Sequence, residues 1–149
     1  MQTPSYDVLE CESEALRGIL ELVPEGVFVA NRDGTLLFHN KAAEAILGAG
    51  DAAHGGPGEW TTVFGWYLPD KATPLSPEEL PLVRILRGEE VCDELLFVRN
   101  AQRPSGVWIH VSGKAVRNLS GRISAGVMVC RDVTATRLSQ QTSVLFSQV

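Results

Sequence analysis

Three long β-rich runs, over 91–99, 106–117 and 122–131, stand in the second half of the chain with only "NAQRPSG" and "NLSG" between them. Connections this short join antiparallel neighbours, because a parallel pair needs a crossover of a dozen residues or more. The last run, "ISAGVMVCR", carries apolar or small residues at both parities. It is therefore expected to be a strand covered on both sides.

The first half supplies two more strands and the helices. In "GVFVANRDGTLLFHN", the runs Val27–Ala30 and Thr35–His39 flank Asn31-Arg32-Asp33-Gly34. Asp-Gly between hydrophobic runs predicts a tight hairpin, since glycine supplies a positive φ without a Cβ clash. Asn40 then caps a short helix, "KAAEAILG", with Ala42, Ala45 and Ile46 on one face and Gly48 as its stop. Upstream, residues 7–22 have the spacing of an amphipathic helix, with Leu9, Leu16, Ile19 and Val23 in a stripe, Ser5 or Asp7 as cap and Pro24 as terminator. "SPEELPLVRILRG" predicts a helix over 78–87, capped by Ser76, opened by Pro77 and closed by Gly88, with Leu82, Ile85 and Leu86 on its buried face. Residues 48–58, "GAGDAAHGGPG", form a loop. The aromatic residues Trp60, Phe64, Trp66 and Tyr67 draw 59–77 onto the core in short helical turns. The sum is an α+β domain: one five-stranded antiparallel sheet with helices gathered on one face.

Composition removes several function classes. A chain of 149 residues reads as one domain. Its net charge of −5 argues against nucleic acid, which asks for a basic face. Cys11, Cys92 and Cys130 are odd in number and form no Cys-x-x-Cys pair, so reduced thiols in the cytoplasm are expected and neither a disulfide framework nor a zinc knuckle is. No apolar run reaches a membrane-spanning length, and the N-terminus lacks the basic and apolar regions of a signal peptide. No Gly-x-Ser-x-Gly elbow accompanies "HGGPG" at 54–58, "GRISAG" has the wrong spacing, and no phosphate-binding loop occurs. No catalytic residue is expected. A metal shared by His39 and His110 is conceivable, but partly buried, hydrogen-bonded histidines are the simpler expectation, and no metal site is assigned. Trp60, Trp66 and Trp108 fit a pocket, though aromatic residues in a small core need no ligand.

The stretches "VPEGVFVANRDGTLLFHNKAAEAILG", "LSPEELPLVRILRGEEV" and "GRISAGVMVCRDVTATR", in this order and spacing, resemble a PAS domain, the sensory module common in bacterial signalling proteins. The closing Asp-x-Thr, Asp132 and Thr134, is the most specific piece. The turn "NAQRPSG" and the pair Ala115-Val116 depart from the family's usual Asp-Gly turn and proline. The resemblance implies an N-terminal helix over 1–23 for dimerisation or capping, a PAS core over 24–134, and the start of a signalling helix over 135–149. It implies a ligand pocket between sheet and helices, for which Val29, Phe38, Ile46, Trp66, Leu82, Ile85, Leu86, Ile109 and Val127 are the candidates. A small apolar or mixed ligand is expected there, or none. The helix 78–87 has no histidine for haem and no Asn-Cys-Arg is present for a photoactive flavin.

The resemblance also gives the end of the chain a role. Asp132 and Thr134 are placed to accept bonds from unsatisfied N–H groups at the start of the outgoing helix, which sets its angle to the sheet. Ala135, Leu138, Thr142, Leu145 and Val149 recur at steps of three and four, a seam that asks for a partner helix. The tail "RLSQQTSVLFSQV" resembles the approach to the phosphoacceptor helix of sensor histidine kinases. A homodimeric sensory module is expected, with an output domain beyond Val149. A diguanylate cyclase or transcription regulator as output, or a purely structural dimerisation domain, are the alternatives.

Overall fold

The computed structural model describes residues 5–48 and 64–138, with side chains from Glu14 onward in α1. The order is α1 (Ser5–Leu22), β1 (Gly26–Asn31), β2 (Leu36–His39), α2 (Lys41–Leu47), β3 (Trp66–Tyr67), a 3-10 turn (Pro77–Glu79), α3 (Pro81–Leu86), β4 (Val91–Asn100), β5 (Arg103–Arg117) and β6 (Ile123–Asp132). A further helical stretch begins at Thr134 and is described to Leu138. The strands form one antiparallel sheet in the order β2-β1-β6-β5-β4-β3. The two-residue β3, pairing Trp66 with Val98, adds a sixth strand to the five expected.

The β1–β2 hairpin closes as its Asp-Gly suggests. Gly34 takes φ 90, and Asn31 Oδ1 accepts from the Asp33 and Thr35 amides, each at 3.0 Å. The β4–β5 connection is tighter than "NAQRPSG" implies. Asn100 pairs with Arg103 and only Ala101-Gln102 turn. Pro104 escapes the ladder because the register shifts between Val98 and Asn100, leaving 104–106 unpaired opposite Arg99.

Two asparagines join segments that are distant in sequence. Asn40 is fully buried and caps α2 as expected, its Oδ1 accepting from Ala43 at 2.9 Å. The same oxygen accepts from the Val27 amide at 3.0 Å, while Nδ2 donates to the Leu20 and Glu25 carbonyls at 2.8 and 3.0 Å. Asn100 behaves alike: Nδ2 donates to Leu47 O and Phe64 O, and Oδ1 accepts from the Gln102 and Arg103 amides.

Three expectations need correction. The helix expected over 78–87 is broken in two. Leu80 adopts φ −60, ψ 135, because the ring of Pro81 disfavours helical backbone in the preceding residue. The buried face of α2 is Ala43 and Leu47, with Ala42 and Ile46 half-buried beside them and Ala45 exposed. On β6, Met128 and Cys130 are buried but Val127 and Val129 on the other face are only half-buried.

The main core lies between one face of the sheet and α2, Leu80 and α3. It gathers Phe28, Ala30, Leu96, Val98, Ile109, Val111, Met128 and Cys130 from the strands, with Leu47, Leu80, Leu82 and Ile85 from the helical layer. Here glycines let the layers touch. A Cβ on Gly26 would fall 2.9 Å from Ala43 Cα, and one on Gly113 would fall 2.5 Å from Ile85 Cδ1. Arg84 ties α3 to the sheet, its Nη1 2.7 Å from Glu94 Oε2 on β4.

Candidate functional site

A cavity opens between the sheet and the helical layer. Phe28 of β1, Leu36 of β2, Trp66 of β3 and Met128 of β6 form its floor. Phe64 closes one wall, and Leu80, Pro81 and Leu82, at the break before α3, form the other. The break at Leu80 thus puts three consecutive residues on the cavity. Phe64 stands edge-on to both Phe28 (centroids 6.0 Å apart, 83°) and Trp66 (6.3 Å, 75°). About 20 Å³ is open to the centre of a water-sized sphere, room for roughly one such molecule. Among the described residues the lining is apolar. Trp66 is 4% exposed, and its Nε1–H has no hydrogen-bond partner among the described residues.

Of the pocket candidates, Trp66 and Leu82 line this cavity. Ile85 and Ile109 are fully buried in the core behind it, and Ile46 and Leu86 are half-buried against that core. Val29, Phe38 and Val127 lie on the opposite face. Val29 pairs with both Phe38 and Val127, whereas Phe28 pairs with His39 and Met128. The assignment was out by one residue on these strands, which moves every side chain through the sheet. Phe28, Leu36, Phe64, Leu80, Pro81 and Met128 were missed. The strand glycines Gly26, Gly113 and Gly126 carry the signal for the right face, since they share the parity of Phe28, Val111 and Met128.

His39 and His110 also fall on opposite faces and cannot share an ion. His39 Nε2 lies 3.0 Å from Glu44 Oε1, and His110 Nδ1 accepts from Arg131 Nη2 at 3.1 Å. Among the described residues no cluster of three or more His, Cys, Asp or Glu suits a metal. Cys130 is buried in the core, and burial pushes its thiol up to about 12; Cys92 is exposed.

The second element of the site is the exit from β6. Asp132 Oδ1 accepts from the Thr134 amide at 2.9 Å, the first turn's unsatisfied donor. Thr134 Oγ1 does something other than expected: it accepts from the backbone amide of Trp108 on β5, also at 2.9 Å. The Val133 amide donates to Trp108 O at 2.8 Å, so Trp108 holds the exit from two sides. Val133 is buried with Phe97 and Trp108 on the outer face of the sheet, flanked by Tyr67 and Leu95. Three cations cover this aromatic patch. Lys71 lies 5.3 Å from the Trp108 ring centroid, Arg99 5.0 Å from that of Tyr67, and Arg137, on the exit helix itself, 4.3 Å from that of Trp108. Of the seam residues, Ala135 and Leu138 are exposed; Thr142, Leu145 and Val149 lie outside the described residues, as do Trp60 and the glycine-rich 49–58.

No helix among the described residues is long and apolar enough to cross a membrane. No curated protein matches the chain. Solved structures do. The chain is 20% identical to an RNA-binding light-oxygen-voltage receptor (TM-score 0.55), over 92% of this chain but only 37% of that one, and so spans about a third of it. It is 19% identical to the PAS domain of an HTR-like protein from Haloarcula marismortui (TM-score 0.57), over 88% of this chain and 99% of that one. It is 20% identical to a domain of the sensory box sensor histidine kinase/response regulator from Geobacter sulfurreducens (TM-score 0.50), over 83% and 96%. At these identities the likeness is one of fold. The sequence profile of the PAS fold matches residues 20–138, four fifths of the chain, so the protein belongs to the PAS fold family.

Proposed function

We propose that this chain is the cytoplasmic, homodimeric sensory module of a sensor histidine kinase, converting occupancy or strain in its cavity into the orientation of its exit helix. One observation carries the reading: one strand, β6, borders the cavity and also carries the cap of the exit helix. Met128 borders the cavity, and four residues later Asp132 caps the helix that Thr134 ties to Trp108. A cap is worth about 0.5–2 kcal/mol and allosteric coupling typically about 1–3 kcal/mol, so a change at this joint is of the right size to bias a helix pair. The likeness to a domain of the Geobacter sulfurreducens sensor histidine kinase/response regulator supports this output. A diguanylate cyclase or a transcription regulator would use the same joint.

Association is proposed to run through α1 and the exit helix. Leu16, Ile19 and Leu22 are 60%, 58% and 84% exposed on α1, and Leu138 is 55% exposed on the exit helix. A second reading, a dimerisation domain without ligand, is favoured by the small cavity.

Asp132→Ala in the full-length protein tests the proposal. Output that no longer responds to stimulus, from a protein that still folds, is the expected result. An unaltered response would sink it. A stoichiometric small molecule in native mass spectra of the purified domain would decide against the ligand-free reading.

A further inference from the structure

We propose that the His110–Arg131 pair on the outer face of the sheet makes the exit joint responsive to protons: when His110 gains a proton the pair breaks, the imidazolium turns to Asp93 and the guanidinium to Glu25, and the first turn of the exit helix loosens. This rests on the role proposed above for the exit joint and names a stimulus for it; the cavity plays no part. His110 on β5 stands directly opposite Arg131 on β6, and its Nδ1 lies 3.1 Å from Arg131 Nη2. A guanidinium is always charged and can only donate. Nδ1 must therefore accept, so the pair exists only while the ring is neutral, with its proton on Nε2. Imidazole is the side chain that ordinarily changes charge between about pH 5 and 8. The added proton puts two cations at one cross-strand position, which is destabilising.

Both partners have somewhere else to go. Glu25, Asp93, Ser112 and Val129 surround the pair, and about 60 Å³ between them is open to the centre of a water-sized sphere. Neither carboxylate forms an ion pair among the described residues. Asp93 sits at the bulge of β4 with φ 45, its amide donating to Ser112 Oγ at 2.9 Å, which holds it against the strand that carries His110. The other charges on this face are positive: Lys114, four positions along β5, and Lys71, Arg99 and Arg137 over the aromatic patch. They add to the repulsion that drives a protonated His110 away from Arg131. The exit joint is the adjoining rung of the ladder. Ile109 pairs with Asp132, the cap, and Trp108 beyond it holds Val133 and Thr134. Two cations forcing β5 and β6 apart at His110 thus act one residue from the contacts that fix the exit helix.

The test compares the ¹⁵N-labelled full chain at about pH 8 and about pH 5.5, a window that spans ordinary histidine titration and stays above that of ordinary carboxylates. In the wild type the Arg131 Nε–H resonance and the Trp108 and Thr134 amide resonances are expected to move on acidification, and the Arg137 amide to lose heteronuclear NOE as the first turn loosens. His110→Gln keeps an acceptor for Arg131 but takes up no proton, and should lose all of these changes. His110→Lys carries a fixed charge and should show the acidic positions already at about pH 8. Asp93→Asn removes one destination and should need a more acidic solution for the same movement. Exit-joint resonances that stay still in the wild type, or that move equally in His110→Gln, would overturn the proposal. Movement of the Arg131 signal alone would overturn it too, since the pair would then switch without reaching the helix; the role of the joint itself would still be decided by Asp132→Ala. Should His110→Lys fold poorly, the comparison with His110→Gln decides by itself.

Discussion

The backbone amide of Trp108 donates to Thr134 Oγ1 across 26 residues, at 2.9 Å. A strand amide is thereby completed by the first turn of the exit helix. Bending the helix away would leave that amide, already part-buried, without an acceptor.

Thr134→Val keeps the shape of the side chain and removes the acceptor. It is expected to cost about 1–3 kcal/mol, the penalty for an unsatisfied buried donor, read as a lowered midpoint in urea with an unchanged slope. Thr134→Ser should recover most of it. If both variants match the wild type, the bond contributes nothing to the joint.

Arg137→Gln removes the cation that stacks on Trp108. The loss should be about 0.5–1 kcal/mol. It should appear locally, as several-fold faster hydrogen exchange of the Arg137 amide, which bonds to Val133 O at 2.9 Å. The β1–β2 hairpin should be unaffected. Uniform acceleration throughout the domain would instead indicate global destabilisation.

Asn40→Ala removes the partner of the Val27 amide and of the Leu20 and Glu25 carbonyls, and leaves the Ala43 amide only its 3.1 Å bond to the Asn40 carbonyl. The expected cost is about 3 kcal/mol, among the larger effects for a single polar residue. Thermal unfolding would measure it. A shift no greater than that of an ordinary exposed helix cap would mean that water replaces the lost amide.

Cys92 and Cys130 should separate by reactivity. Cys92 is exposed and should react with a thiol reagent in the folded state; Cys130 is buried and should react only on unfolding. The pKa of Cys130 is raised to about 12 by burial, above its unfolded value, so the folded state holds its proton where the unfolded state has released it. Its contribution to stability is complete below about pH 8.5 and declines as pH rises from there toward 12. Cys130→Ala should flatten this alkaline limb of the stability profile; an unchanged limb would assign it to other groups.

The strands were legible because turn residues bracket alternating or continuous apolar runs, and the Asn40 cap because it directly precedes a helical pattern. Legibility ended where residues from distant segments meet. Both Asn40 and Asn100 read as local cap and turn residues, yet half of their bonds reach elements 15 to 53 positions away. The outer aromatic patch draws Tyr67, Lys71, Phe97, Arg99, Trp108 and Arg137 from four separate segments, and no local pattern announces it. The face of the cavity was misread for a different reason. Val27, Phe28, Val29 and Ala30 are all apolar, so alternation alone leaves their parity undecided, and only the glycine spacing breaks the tie. The helix break was legible in principle, because Pro81 restricts Leu80 whatever the tertiary context.

The amide nitrogen of Asn100 holds Leu47 O at 2.7 Å and Phe64 O at 2.8 Å, bringing the two feet of residues 48–63 to one atom. Whatever path those residues follow, they enter and leave through a single clamp. Lengthening or replacing them changes the closure entropy only slowly with size. A reporter or affinity module could therefore be grafted between Leu47 and Phe64 while the strands keep their register.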